Sequence, residues 1–129
     1  MRIVADTNVF IAVALNEPEK DRIIHLTKGH DLMAPEILPF EIGNALTAMK
    51  KRRSLKGDEV VSAWEVIQKI PVDLRTIDMR AALQIAVEFN IYAYDAYFLE
   101  CARSFRSPLL SLDRRMKRTA EALGILVME

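Results

Sequence analysis

Short apolar runs alternate with longer segments of helical period along almost the whole chain, and this alternation limits the fold more than any other feature. The runs are Arg2–Ala5, Asp31–Ala34, Val72–Leu74 and Leu109–Leu112, with a last short one at Ile125–Val127. Runs this short and this apolar suit strands covered on both faces, as in a parallel sheet. Parallel neighbours need crossover connections, and helices supply them. The expected fold is therefore α/β, a three-layer α/β/α sandwich around a short, mainly parallel central sheet.

The segments between the runs read as helices with recognisable ends. Asp6-Thr7-Asn8 offers capping side chains before the apolar stretch Val9–Leu15. Pro18 can open a second helix, and Gly29 can close it. A third is expected from about Leu38 to Arg53, with Leu38, Ile42, Ala45, Leu46 and Met49 at helical spacing. Gly57-Asp58 starts a fourth, with Val60, Val61, Trp64, Ile67 and Ile70 on one face and Pro71 as its stop. Asp78 caps a fifth that ends at Asn90, and Ile91–Tyr94 reads as a linker. Asp95 begins the next helix or lies just inside it, and Asp113 caps a basic last helix ending near Leu123-Gly124.

With 129 residues and no repeat, low-complexity tract or long linker, residues 1–129 are expected to form a single domain. An apolar fraction of 51% supports a sizeable core, and 28% charged residues of both signs argue against disorder. The formal net charge is zero, which removes the simplest argument for nucleic-acid binding but leaves room for a local basic face or a bound cation. One cysteine, Cys101, suits a reducing compartment. No apolar run approaches the roughly 18 residues needed to span a bilayer. An acid already at position 6 interrupts any secretion signal. A soluble, cytoplasmic protein is expected.

Four acids stand out by their positions. Asp6 follows the first run directly and Asp113 follows the fourth. In open parallel sheets, sites form beyond the carboxyl ends of the strands, where strand order reverses. If those two strands are neighbours, both carboxylates face one crevice. Glu41 lies in Leu38-Pro39-Phe40-Glu41-Ile42, on the face shared by Leu38 and Ala45. Asp95 lies in Tyr92-Ala93-Tyr94-Asp95-Ala96-Tyr97-Phe98-Leu99, the most aromatic stretch of the chain. A carboxylate in such surroundings is costly unless it is paired or binds metal. Gathered carboxylates repel, a divalent cation relieves that repulsion, and all-oxygen ligands favour magnesium or manganese over zinc. Metal-assisted phosphodiester hydrolysis fits these parts without a Ser, Cys or His nucleophile.

The same residues resemble a known family. Val4-Ala5-Asp6-Thr7-Asn8-Val9-Phe10 and Pro39-Phe40-Glu41-Ile42-Gly43-Asn44-Ala45-Leu46 are similar to the first two motifs of PIN domains. Tyr94-Asp95-Ala96-Tyr97-Phe98-Leu99-Glu100-Cys101-Ala102 resembles the third, and Leu110-Ser111-Leu112-Asp113 the fourth. Their order, their spacing and the chain length match throughout. Within that family the resemblance is to the toxin nucleases of VapBC-type toxin–antitoxin pairs. It implies a ribonuclease site with Asp6, Glu41, Asp95 and Asp113 as metal and catalytic acids and Mg2+ or Mn2+ as the cofactor. It further implies an RNA substrate, a homodimer and inhibition by a small antitoxin protein. By the same match Asn8 orients Asp6 or a water, and Ser111 supports the site from the fourth strand.

Plainer roles stand beside these. Asp6, Asp95 and Asp113 are each placed to cap a helix, which does not prevent them from binding metal. Glu41 could face solvent. Lys50–Arg53 and Arg114, Arg115, Lys117 and Arg118 are basic clusters of the kind that usually form solvated helix faces. Arg114 and Arg115, next to Asp113, are the better candidates for substrate phosphate. His25 and His30 are expected at the surface and Cys101 in the core. Val60, Val61, Trp64 and Ile67 fit the core or a partner groove. Two other functions compete. An aspartyl-phosphate mechanism at Asp6 would need a second acid two residues on, where Asn8 stands. A non-catalytic RNA- or protein-binding module would have no need of all four acids.

Overall fold

The computed structural model describes residues 1–129. Its centre is a four-stranded, wholly parallel sheet in the order β3-β2-β1-β4. The strands are β1 (Arg2–Ala5), β2 (Asp31–Pro35), β3 (Asp73–Arg75) and β4 (Leu109–Leu110). Ile3, Val4 and Ala5 of β1 are all fully buried, as a central strand covered on both faces requires.

Seven helices connect and cover the strands: α1 (Thr7–Ala14), α2 (Lys20–Thr27), α3 (Leu38–Lys51), α4 (Gly57–Ile67), α5 (Met79–Phe89), α6 (Ala93–Ser104) and α7 (Arg114–Ala122). Helices α1, α3 and α4 pack on one another, while α6 lies on β1 and β2 with α5 against it. Helix α6 approaches the sheet closely because its inner face carries Ala96, Leu99 and Ala102, with Phe98 and Cys101 also buried. Glu100 on the same helix is buried too, and it pairs with Arg103 at 2.9 Å. No helix is long and apolar enough to cross a membrane.

The chain builds outward from β1 through β2 to β3, then returns to place β4 on the other side of β1. Strand order thus reverses between β1 and β4. Val4 pairs with Leu109 and Ala5 with Leu110, and the Asp6 amide donates to the Leu110 carbonyl at 2.9 Å. The adjacency that the sequence left open is therefore present, and the carboxyl ends of both strands meet.

Several local expectations need correction. The fourth run, expected to be extended through Leu112, forms a shorter strand. β4 stops at Leu110, because the Ser111 hydroxyl and the Leu112 amide bond to side chains rather than to a neighbouring strand. Ile125–Val127 is not a strand; it contributes one parallel bridge from Val127 to Leu109. Ala93 and Tyr94, read as linker, already belong to α6. Helix α4 ends at Ile67, so Ile70 lies beyond it, and Val61 points outward, 58% exposed. His25 is at the surface as expected, but His30 is half-buried with an unpartnered Nδ1.

Candidate active site

Asp6 sits at the junction of β1 and α1, in extended conformation as the N-cap. Its side chain is 5% exposed and held from three directions. The Thr7 amide donates to Oδ1 at 2.8 Å, the Ser111 hydroxyl to Oδ2 at 2.8 Å, and the Asn8 amide group to Oδ2 at 3.2 Å. None of these donors carries a charge. Burial therefore dominates and pushes the Asp6 carboxyl up to about 6; the bonds from Ser111 and Thr7 hold it down, and the charges of Asp95 and Asp113 raise it further.

Ser111 and Asn8 tie two strand ends into one unit. Ser111 Oγ also accepts from the Asp113 amide at 3.1 Å, and Asn8 Oδ1 accepts from the Leu112 amide at 3.2 Å. Both residues therefore bond to Asp6 and to the backbone that leads into Asp113. Asp113 caps α7, accepting from the Arg115 and Met116 amides through Oδ1. Its other oxygen is free of such bonds, so capping and ligation are compatible.

Glu41 lies in the first turn of α3, whose start follows β2 closely. It does not face open solvent. Its Oε2 is buried without a partner, and so is the neighbouring Thr7 hydroxyl oxygen. Burial pushes the Glu41 carboxyl up to about 7, Asp6 and Asp95 add repulsion, and the closeness of Thr7 partly opposes them. Asp95 is the third residue of α6 and is not its cap, a position taken by Tyr92. Burial raises its pKa first, then the charge of Asp113, with Arg115 acting against both.

The four acids thus come from four separate elements and feel one another electrostatically. Arg115 acts on Asp95, and no basic group acts comparably on Asp6 or Glu41. No three His, Cys, Asp or Glu side chains converge into a closed ligand cage. An ion that keeps several of its waters does not require one. The donor set is all oxygen and acidic, with an orphaned carboxylate oxygen inside it, and it fits a hard divalent cation.

Beside the cluster lies a cleft of about 360 Å3 lined by Asn90, Ile91, Tyr92, Asp95, Asp113, Arg115, Met116 and Thr119. Asp95 and Asp113 belong both to the cleft and to the acid cluster. Arg115 lines it; Arg114 and Lys50–Arg53 do not, although all are exposed. Sequence reasoning missed Thr7, whose buried hydroxyl looks like a cap residue in the chain, and Tyr92, which fell in the expected linker.

The chain matches the PIN domain family model over residues 3–122. It is 23% identical over 128 residues to Ribonuclease VapC3 of Pyrobaculum aerophilum, covering 95% of this chain and 98% of the relative. The fold is similar to the crystal structure of VapBC2 from Rickettsia felis bound to a DNA fragment from their promoter, with a TM-score of 0.69 and 14% identity over 100% of this chain and 98% of the other. It is also similar to FitAcB from Neisseria gonorrhoeae, with a TM-score of 0.65 and 17% identity over 98% and 96% of the two chains.

Proposed function

This chain belongs to the PIN domain family, and from that premise we propose that it is a divalent-metal-dependent endoribonuclease, the toxin component of a toxin–antitoxin pair. The observation that carries the reading is the set of carboxylates at the β1–β4 reversal. Asp6, Glu41 and Asp95 all have raised pKa values, and burial is the largest cause for each. Such a group is unfavourable when fully ionised and is relieved by a multivalent cation. Residues 1–129 are read as one nuclease domain.

The site residues divide the work. Asp6, fixed by Thr7, Ser111 and Asn8, is the best-oriented ligand. Glu41 brings an unpartnered oxygen, and Asp95 and Asp113 line the cleft through which a substrate would reach the cluster. Magnesium or manganese bound there would supply positive charge for the developing phosphoryl oxyanion and ease deprotonation of the attacking water. In the overall reaction a bond forms between that water's oxygen and phosphorus, one phosphorus–ester oxygen bond breaks, and a proton ends on the departing sugar oxygen. Arg115 and Arg114 would hold phosphate near the acids. Once Asp6 and Glu41 have ionised, no buried cation of the protein balances them, so the apo site repels RNA until metal binds.

The ribonuclease assignment is supported by the name of the Pyrobaculum relative, and the paired-protein assignment by the Rickettsia structure of a VapBC complex. We read this chain as having a small antitoxin partner and as forming a homodimer. Exposed apolar side chains such as Phe40, Val61 and Val87 are consistent with protein contacts. A cytoplasmic location agrees with an RNA substrate and a single buried thiol.

The test is RNA cleavage by purified, partner-free protein with magnesium, with manganese and with chelator. Cleavage that requires metal and disappears in Asp6→Asn supports the reading. Folded wild-type protein that binds RNA equally with and without metal, and never shortens it, would favour the binding-module alternative.

A further inference from the structure

Tyr92 is the most exposed aromatic side chain in the protein, at 82%. It is the N-cap residue of α6, yet its side chain makes no capping bond. Nothing in the fold requires an aromatic ring there. The ring stands on the wall of the acid-lined cleft, three residues before Asp95. Its place is set by the turn before it, where Asn90 adopts a left-handed conformation (φ 53°) that ends α5 and leads the chain directly into α6.

The rest of the cleft is mixed in a way that suits one nucleotide. Its volume of about 360 Å3 lies at the lower end of the range of roughly 300–1,000 Å3 typical of small-ligand sites. Ile91 and Met116 give apolar walls, Asn90 and Thr119 add polar groups, and Arg115 supplies a cation. The guanidinium of Arg115 is close enough to Asp95 to favour its ionised form, so a phosphate held by Arg115 would lie next to the reacting acids.

We propose that this cleft is a base-stacking subsite for one unpaired nucleotide adjoining the scissile phosphodiester, with the Tyr92 ring stacked on the base and Arg115 on its phosphate. The inference rests on the ribonuclease reading and deepens it. An aromatic face accepts any base, so the subsite selects for an unstacked, single-stranded segment rather than for a particular letter. A base within a duplex cannot reach the ring, because both of its faces are already stacked.

The experiment is steady-state cleavage of a short RNA by wild type, Tyr92→Ala and Tyr92→Phe in the presence of manganese. A parallel series of RNAs carries one abasic site at successive positions around the cut. Tyr92→Ala is expected to raise KM roughly 5- to 150-fold with kcat nearly unchanged, the range set by loss of one base–aromatic stack. Tyr92→Phe should restore the wild-type KM, since the ring and not the hydroxyl is used. Wild type should lose affinity at one abasic position, and Tyr92→Ala should be indifferent there. Pairing that nucleotide in a duplex should slow cleavage at least tenfold. A wild-type KM in Tyr92→Ala, or identical abasic profiles for the two proteins, overturns the subsite while leaving the nuclease standing; altered dimer or partner affinity would then assign the ring to a protein contact. Absence of cleavage by wild type with any ion removes the ribonuclease reading and this inference with it.

Discussion

Ser111 shows how a single uncharged side chain can organise a charged site. It is 1% exposed, donates to Asp6 and accepts from the Asp113 amide, and so links two acids that are distant in sequence. Ser111→Ala is expected to cost about 1–3 kcal/mol in urea denaturation, because the Asp113 amide loses its acceptor and Asp6 loses a buried donor. Activity should fall roughly 10- to 100-fold, as when a supporting partner of a metal ligand is removed. The same scale sets the pH behaviour. Asp6 goes from an ordinary 3.8 up to about 6, so between those values the folded, metal-free protein holds a proton that the unfolded chain has released. Stability contributed by this proton is complete below about pH 4 and is lost as pH rises through about 6; Glu41 extends the window to about 7. For Asp6 the loss is on the order of 2–3 kcal/mol. In chelator, the melting temperature of Asp6→Asn should therefore rise relative to wild type as pH increases from about 4 to about 8. A constant difference between the two would contradict the burial-driven shift.

Elements deliver these residues because small side chains let them approach. Ala96 is fully buried where α6 meets the sheet, one residue after Asp95. Ala96→Leu is expected to destabilise the protein by about 1–3 kcal/mol through overpacking and to lower kcat by displacing Asp95, with circular dichroism still showing a folded chain. Much at this scale was legible in the chain: the capping roles of Asp6, Asp78 and Asp113, the stop at Asn90, and the strands at β1 and β2 are all local chemistry. What was not legible was non-local. Ser111 ends β4 early because its hydroxyl answers Asp6 across the sheet, 105 residues away in sequence. Tyr92 reads as linker because no local signal distinguishes a helix N-cap without a capping bond. Val61 has a core residue's chemistry, but α4 packs on α1 and α3 through its other face, with Ala63 and Ile67 buried, and leaves Val61 outside.

For the whole molecule, zero net charge hides an uneven distribution. The acids gather at the strand reversal while Arg114, Arg115 and Arg118 stand exposed on the helix that begins there. RNA affinity should therefore depend on salt through a few local contacts, and the double variant Arg114→Gln/Arg115→Gln should reduce the slope of log K against log salt by about 1.4, at about 0.7 per contact on single-stranded RNA. An unchanged slope would move phosphate binding to another face, with Lys50–Arg53 the next to test. The alternation of runs and helices foretold the parallel sheet, and the acids after the first and fourth runs foretold where carboxylates meet at the β1–β4 reversal, but bringing Glu41 and Asp95 towards them required the packing of α3 and α6. The proposed activity requires those four carboxylates to share one cation. Titration calorimetry of manganese into wild type and Asp6→Asn at about pH 8, repeated in buffers of different ionisation enthalpy, measures that directly. Saturable binding to wild type with proton release that increases when the titration is repeated at about pH 6.5, and loss of that binding in Asp6→Asn, is the expected result. Equal binding by both proteins, or none by folded wild type, would contradict a shared metal site at the β1–β4 reversal.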